Sequence, residues 1–254
     1  MEMAYMKPRA LARALAGVVL ACSTSLTAHA GSDGGGTNLG VTRVVLTQAD
    51  REQTLPIIHS GKRPALFQLW LDQGDRFADP AQLKIPFVVS KPFFRLEPNS
   101  QQAIRILTVD RAALATDREA LFYINVLHVP ERSNTVDAKL NLAVRSRIKL
   151  FYRPSGLPGS AAEAPAMLRW RWVGQGNDRK LHIENPTPWH VNLATVELGD
   201  AKTPLEPGDG VVPPLSSIEL PVPGQAPQQG EGRLSFTWID DSGSAQKTDA
   251  QIAP

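Results

Sequence analysis

Cysteine is almost missing. The 254 residues contain a single one, Cys22, so no internal disulfide can form and no cysteine-rich zinc cage can be built. Beyond the first 30 residues no apolar run approaches the roughly 18 residues a membrane-spanning helix needs. Motifs with chemistry of their own are absent too: there is no Gly-x-Ser-x-Gly elbow, no phosphate-cradling Gly-x-x-x-x-Gly-Lys and no His-Glu-x-x-His. The glycines of "GSDGGG" (31–36) precede no strand–helix unit and read as a tether. His59, His128, His182 and His190 show no metal-ligand spacing and read as structural. Asp240 and Asp241 are adjacent, hence on opposite faces of a strand, which suits paired acid–base work badly. These absences point to a binding protein with no catalytic residues, no metal and no cofactor.

The first 30 residues carry a different message. Lys7, Arg9 and Arg13 precede an apolar run from Ala14 to Ala21, and the stretch closes on Ala28-His29-Ala30. That is the layout of a cleaved secretory signal (1–30). A lipidated Cys22 is the rival reading, and Leu20 directly before Ala21 suits it poorly. Removing 1–30 takes away Lys7, Arg9, Arg13 and Glu2 and leaves 24 cations facing 24 carboxylates in 224 residues. No global basic field remains to favour nucleic acid or an anionic membrane. An exported protein with no membrane anchor is expected, large enough to stand on hydrophobic cores rather than on disulfides.

After a leader (31–38), short alternating or apolar runs dominate: Val41–Leu46, Ala65–Leu71, Phe87–Val89, Ala103–Leu107, Leu121–Val129 and 138–153. Runs of this kind with turn residues between them predict an all-β sandwich over 39–155. "DRAALATDREALF" (110–122) has helical composition and reads as a loop or a single helical turn, because Leu121 resumes a strand. "RPSGLPGSAAEAP" (153–165) is Pro-, Gly-, Ser- and Ala-rich, the composition of a linker (156–164). "MLRWRWV", "KLHIEN", "HVNLATVEL", "SSIELPV" and "RLSFTWI" then predict a second β domain over 165–254.

The longest run, "AKLNLAVRSRIKLFYRP" (138–154), is the unusual one. Its even positions Leu140, Leu142, Val144, Ile148, Leu150 and Tyr152 are apolar, and Arg145, Arg147 and Lys149 load the other face. Periodicity alone allows the even face to pack inside its own sandwich or to be offered to a partner. Arg145 and Arg147 read as solvated strand charges.

Seven blocks identify a family resemblance: "GVTRVVL" (40–46), "KPFFRLEPNSQQAIRIL" (91–107), "DREALFYINVLHVP" (117–130), "RIKLFYRP" (147–154), "LHIENPTPWHVNL" (181–193), "VVPPLSSIEL" (211–220) and "SFTWIDDSG" (235–243). In this order and behind a signal peptide they resemble the periplasmic pilus-assembly chaperones of the PapD type. Ala115, Ala120 and Ser242 depart from the family's usual Pro, Ser and aromatic residue at packing or turn positions.

The resemblance implies two immunoglobulin-like sandwiches set at an angle, with a cleft between them. It implies a periplasmic chaperone that binds pilin subunits lacking their last strand and delivers them to an outer-membrane usher. Leu140, Leu142 and Val144 would fill the subunit's groove, and Arg43 and Lys149 would grip its C-terminal carboxylate. Glu119, Arg153 and Asp241 would form an interdomain ion network, the alternative being plain surface charges. Self-association through the same strand is implied when no subunit is bound. The short, cysteine-free "ERSNTVD" (131–137) resembles the short-loop class, which serves rod-like pili. The alternative function is an immunoglobulin-like pilus subunit or another exported β-sandwich binding protein.

Overall fold

The structure is a computed structural model that describes residues 36–131, 142–199, 201–221 and 232–253. The expected signal peptide and Leu140 lie outside the described residues. The first sandwich holds β1 (Thr37–Asn38), β2 (Arg43–Thr47), β3 (Glu52–His59), β4 (Ala65–Asp72), β5 (Phe87–Val89), β6 (Phe93–Leu96), β7 (Ser100–Thr108), β8 (Ala120–Pro130) and β9 (Val144–Arg153). One sheet runs β1-β3-β7-β5 and the other β2-β9-β8-β4-β6. Side chains alternate across each strand. On β4, Phe67 and Leu69 enter the core while Leu66, Gln68 and Trp70 face outward; on β7, Ile104 and Ile106 enter and Arg105 does not. Leu55, Ile57, Phe122, Ile124 and Leu150 complete the layer between the sheets, and Phe87 meets Phe122 edge-on at 5.0 Å.

The second sandwich holds β10 (Arg169–Val173), β11 (Lys180–Asn185), β12 (Val191–Leu198), β13 (Ala201–Pro204), β14 (Val211–Val212), β15 (Ser216–Pro221), β16 (Gly232–Ile239) and β17 (Ala245–Ala253). Its strands follow the order β13-β12-β16-β17-β10-β11-β15, with β14 on β12. Trp170, Leu181, Ile183, Val196, Phe236 and Ile252 form its core. Buried Asn185 sets the "ENPTP" turn. Its Nδ2 donates to the Trp189 carbonyl at 2.7 Å and to the Pro213 carbonyl at 3.1 Å, while its Oδ1 accepts from the Thr187 N–H and hydroxyl.

Several elements differ from the sequence reading. β3 is not among the runs named from the sequence, and it forms although Pro56 lacks an N–H. Pro56 is tolerated where β1, which pairs only with Ile58 and His59, no longer covers β3. The leader does not run free to residue 38: Thr37 and Asn38 pair with β3, and the Gly36 carbonyl accepts from the Ser60 hydroxyl at 2.8 Å. The 110–119 stretch is a loop, as read from the sequence, capped by Asp110 on the N–H groups of Ala112 and Ala113 and pinned by buried Leu114, and β8 begins at Ala120. The 156–164 stretch docks on the second sandwich. Ala164 is buried there, and the Trp189 indole N–H donates to the Pro158 carbonyl at 2.9 Å. In the long run, β9 starts at Val144, and residues 138–141 lie outside the described residues.

Candidate functional site: a half-paired strand beside two adjacent cations

Strand β9 has two unlike edges. Along β8 it is paired throughout, from His128↔Val144 to Ala120↔Tyr152. Along β2 it is paired only from Arg43↔Lys149 to Thr47↔Arg153, in parallel. Residues 144–148 therefore present one edge that no described strand covers. Such an edge offers backbone N–H and C=O groups to an added strand.

Burial follows the same division. Leu142 is 60% exposed and Val144 50%, whereas Ile148 is half-buried against the core and Leu150 and Tyr152 are sealed within it. One apolar row thus changes owner along its length: its first half is open and its second half belongs to the home core.

Arg43 and Lys149 meet at the junction, where β2 begins. Their side by side placement comes from the parallel β2–β9 register. Both line a cleft of about 1100 Å³ between the sandwiches, faced from the second by Asn192, Pro207 and Asp209. The Arg43 Nη1 donates to the Ile239 carbonyl at 2.9 Å and the Lys149 Nζ to the Pro207 carbonyl at 2.8 Å. These partners are neutral, and the buried Arg43 Nε has no partner. Burial, then the charges of Arg43 and Arg147, lowers Lys149 to about 8; burial also lowers Arg43, against the pull of Asp241, Asp240 and Glu119. Two adjacent, desolvated cations facing a cleft form a site for an anion.

Glu119, Arg153 and Asp241 come together between the sandwiches. The Arg153 Nε and Nη2 donate to Glu119 Oε1 at 3.0 and 2.9 Å, and its Nη1 donates to Asp241 Oδ2 at 2.8 Å. Sequence reasoning missed two members. The His190 backbone N–H donates to Glu119 Oε2 at 3.0 Å and its Nδ1 lies at 3.0 Å from the same oxygen, while the ring rests on Phe151 at 5.5 Å. Nothing in the spacing of the sequence marked either residue.

Arg145 and Arg147 are not solvated strand charges. Arg147 pairs with Asp72, whose side chain is 1% exposed, and stacks over Tyr123 at 3.4 Å; Arg145 bonds buried Asn125 and stacks over Trp70 at 4.9 Å. Cross-strand neighbours on β4 and β8 pay for placing cations mid-strand, and strand periodicity does not reveal such neighbours.

Comparison with known proteins agrees with this geometry. Residues 36–158 match the N-terminal domain and residues 163–250 the C-terminal domain of the PapD pili-assembly chaperone models. The chaperone protein FimB/FhaD of Bordetella pertussis is 36% identical over 222 residues, covering 84% of this chain and 86% of that protein. The crystal structure of the YadV chaperone superposes with a TM-score of 0.70 at 31% identity, covering 85% of this chain and 98% of that one. The SafB chaperone, solved in complex with the SafA pilin of Salmonella enterica, gives 0.70 at 32% identity, covering 85% and 95%. The chain belongs to the PapD-type family of pilus-assembly chaperones.

Proposed function

We propose that this chain is an exported, periplasmic chaperone that captures pilus subunits lacking their last strand and passes them to an outer-membrane usher. The observation that carries the reading is the division of β9 into a paired, buried half and an unpaired, exposed half. A client strand added to the free edge gains backbone bonds, and Val144, Leu142 and, by sequence alternation, Leu140 enter its groove. Three such side chains contribute roughly 5–9 kcal/mol when fully buried, before ordering costs.

Charge fixes the direction of the added strand. The free edge ends at Arg43 and Lys149, so the client end that reaches them must be negative. A client strand parallel to β9 brings its C-terminal carboxylate there; an antiparallel one does not. The carboxylate would replace the Pro207 and Ile239 carbonyls as partner and offset the desolvation of both cations. In the absence of a client the same edge supports self-association, as an open edge does in general. The SafB–SafA complex is the relative whose printed pairing favours this reading.

The test is co-expression in the periplasm with immunoglobulin-like pilus subunits from the same genome, followed by co-purification. The wild type carries a subunit through purification. Arg43→Ala and Lys149→Ala remain folded and lose about 2–5 kcal/mol of binding, roughly 30- to several-thousand-fold. Undiminished capture by both variants refutes the reading.

A further inference from the structure

The free half of β9 has a structural problem. It is paired on one side only, Val144 is exposed, and strand segments of that kind open locally. A donor that frays must be reordered each time a client arrives, which slows capture and weakens it.

The outward face of the same sheet holds an arrangement that the donation of an edge does not itself require. Asp72 ends β4, Asn125 lies on β8, and both side chains are buried although they face outward. The Asn125 Nδ2 donates to Asp72 Oδ2 at 2.7 Å, and the Gly74 N–H donates to Asp72 Oδ1 at 2.8 Å. The Arg147 Nε donates to Asp72 Oδ2 at 3.0 Å, its Nη2 donates to Asp72 Oδ1 and also to the Gly74 carbonyl at 3.1 Å, and its guanidinium lies on the Tyr123 ring. The Arg145 Nε and Nη2 donate to Asn125 Oδ1 at 2.9 and 2.7 Å, and its Nη1 donates to the Arg76 carbonyl at 2.6 Å. Both odd residues of the free half are thus tied across β8 to β4 and its following loop, while Val144 on the other face stays exposed. Arginine suits this task because its planar fork bonds a carboxylate and stacks on a ring at once.

We propose that Asp72, Asn125, Trp70 and Tyr123, acting through Arg145 and Arg147, are positioning residues that hold the free half of β9 extended and in register before a client arrives. The inference rests on the donor-strand reading above for its purpose, but not for its physical content. The clamp exists in the free protein and is measurable there.

The experiment compares wild type, Asp72→Asn and Arg147→Gln by amide hydrogen exchange on the free full-length mature protein, and then by the association rate with a purified pilus subunit. In both variants exchange at residues 144–148 rises about 10- to 100-fold, the equivalent of one lost charge-assisted hydrogen bond. Exchange at 149–153 and at the core residues Ile104 and Ile106 stays unchanged, and capture slows by a comparable factor. Arg147→Lys, which keeps the charge but not the fork, fails to restore either quantity. Unchanged exchange at 144–148, or a uniform rise across the sandwich, overturns the proposal, since a purely structural role spreads its effect. Rapid exchange in the wild type at those amides of 144–148 that bond to β8 also overturns it. If the wild type captures no subunit, the donor-strand reading fails while the exchange pattern still decides the clamp.

Discussion

Lysine 149 is costly to the free protein, and replacing it with methionine exposes that cost. A lysine that titrates at about 8 instead of 10.5 carries its charge in the folded state at a penalty of about 3 kcal/mol. The side chain keeps partial contact with solvent, and the variant loses the bond to the Pro207 carbonyl. Discounting for both leaves a net gain of about 1–2 kcal/mol for Lys149→Met. In a chain of this size that raises the melting temperature by roughly 2–8 °C. The pH dependence follows from the direction of the shift. Below about pH 8 both folded and unfolded states hold the proton, so the wild type bears the full penalty. Between about 8 and 10.5 the folded state sheds the proton while the unfolded state keeps it, so wild-type stability rises relative to the variant. Thermal unfolding of both proteins, monitored by circular dichroism from about pH 7 to about pH 10, reads this directly. The variant melts higher near pH 7, and the gap closes as pH rises. A variant that melts at or below wild type near pH 7, or a gap that does not change with pH, refutes the claim of a desolvated, unpaired cation. The same variant is expected to lose subunit capture if the cleft holds the client carboxylate as proposed above.

Three further outcomes follow from named contacts. Arg153→Ala, which strands buried Glu119, costs about 2–4 kcal/mol in denaturant unfolding; Asp241→Ala, at a carboxylate 47% exposed, costs under about 1 kcal/mol, and equal costs contradict the geometry. Leu142→Asp and Val144→Asp leave the melting temperature nearly unchanged, because both positions are open to solvent, yet they abolish subunit capture in co-purification. Burial, then the charge of His59, lowers His128 below its ordinary value of 6.5, so stability falls as pH drops below about 6.5, and His128→Asn reduces that slope in a pH series of melts.

The legible part of the molecule was what one strand says about itself. Alternation in 140–152 announced an apolar row and a cationic row, and the Pro- and Gly-rich stretch near 156–164 marked a change of domain. The family blocks then assigned roles to Arg43, Lys149, Glu119, Arg153 and Asp241, and the fold brings Arg43 beside Lys149 and the other three together. What no strand can say is which strand lies beside it. Arg147 and Asp72 are 75 positions apart and Arg145 and Asn125 are 20 apart, so their pairing depends on the order β9-β8-β4. Arg145 and Arg147 read as solvent charges for that reason. Phe151 sits on the cationic face of β9 yet is buried, because the second sandwich covers that end; His190 was equally hidden, since its partner Glu119 belongs to the other sandwich. Strand β3 was obscured by Pro56, whose missing donor matters only where a neighbouring strand needs it.

The central claim, that a client strand lies along the uncovered edge of β9 with its carboxylate at the two cations, is tested most directly by photo-crosslinking. A photoreactive residue at position 142 in the mature chaperone, irradiated after subunit capture, should attach to the groove that the subunit's terminal strand borders, and Lys149→Ala should abolish the product. Capture that persists with no crosslink at 142, or with attachment to a subunit surface remote from that strand, contradicts the account.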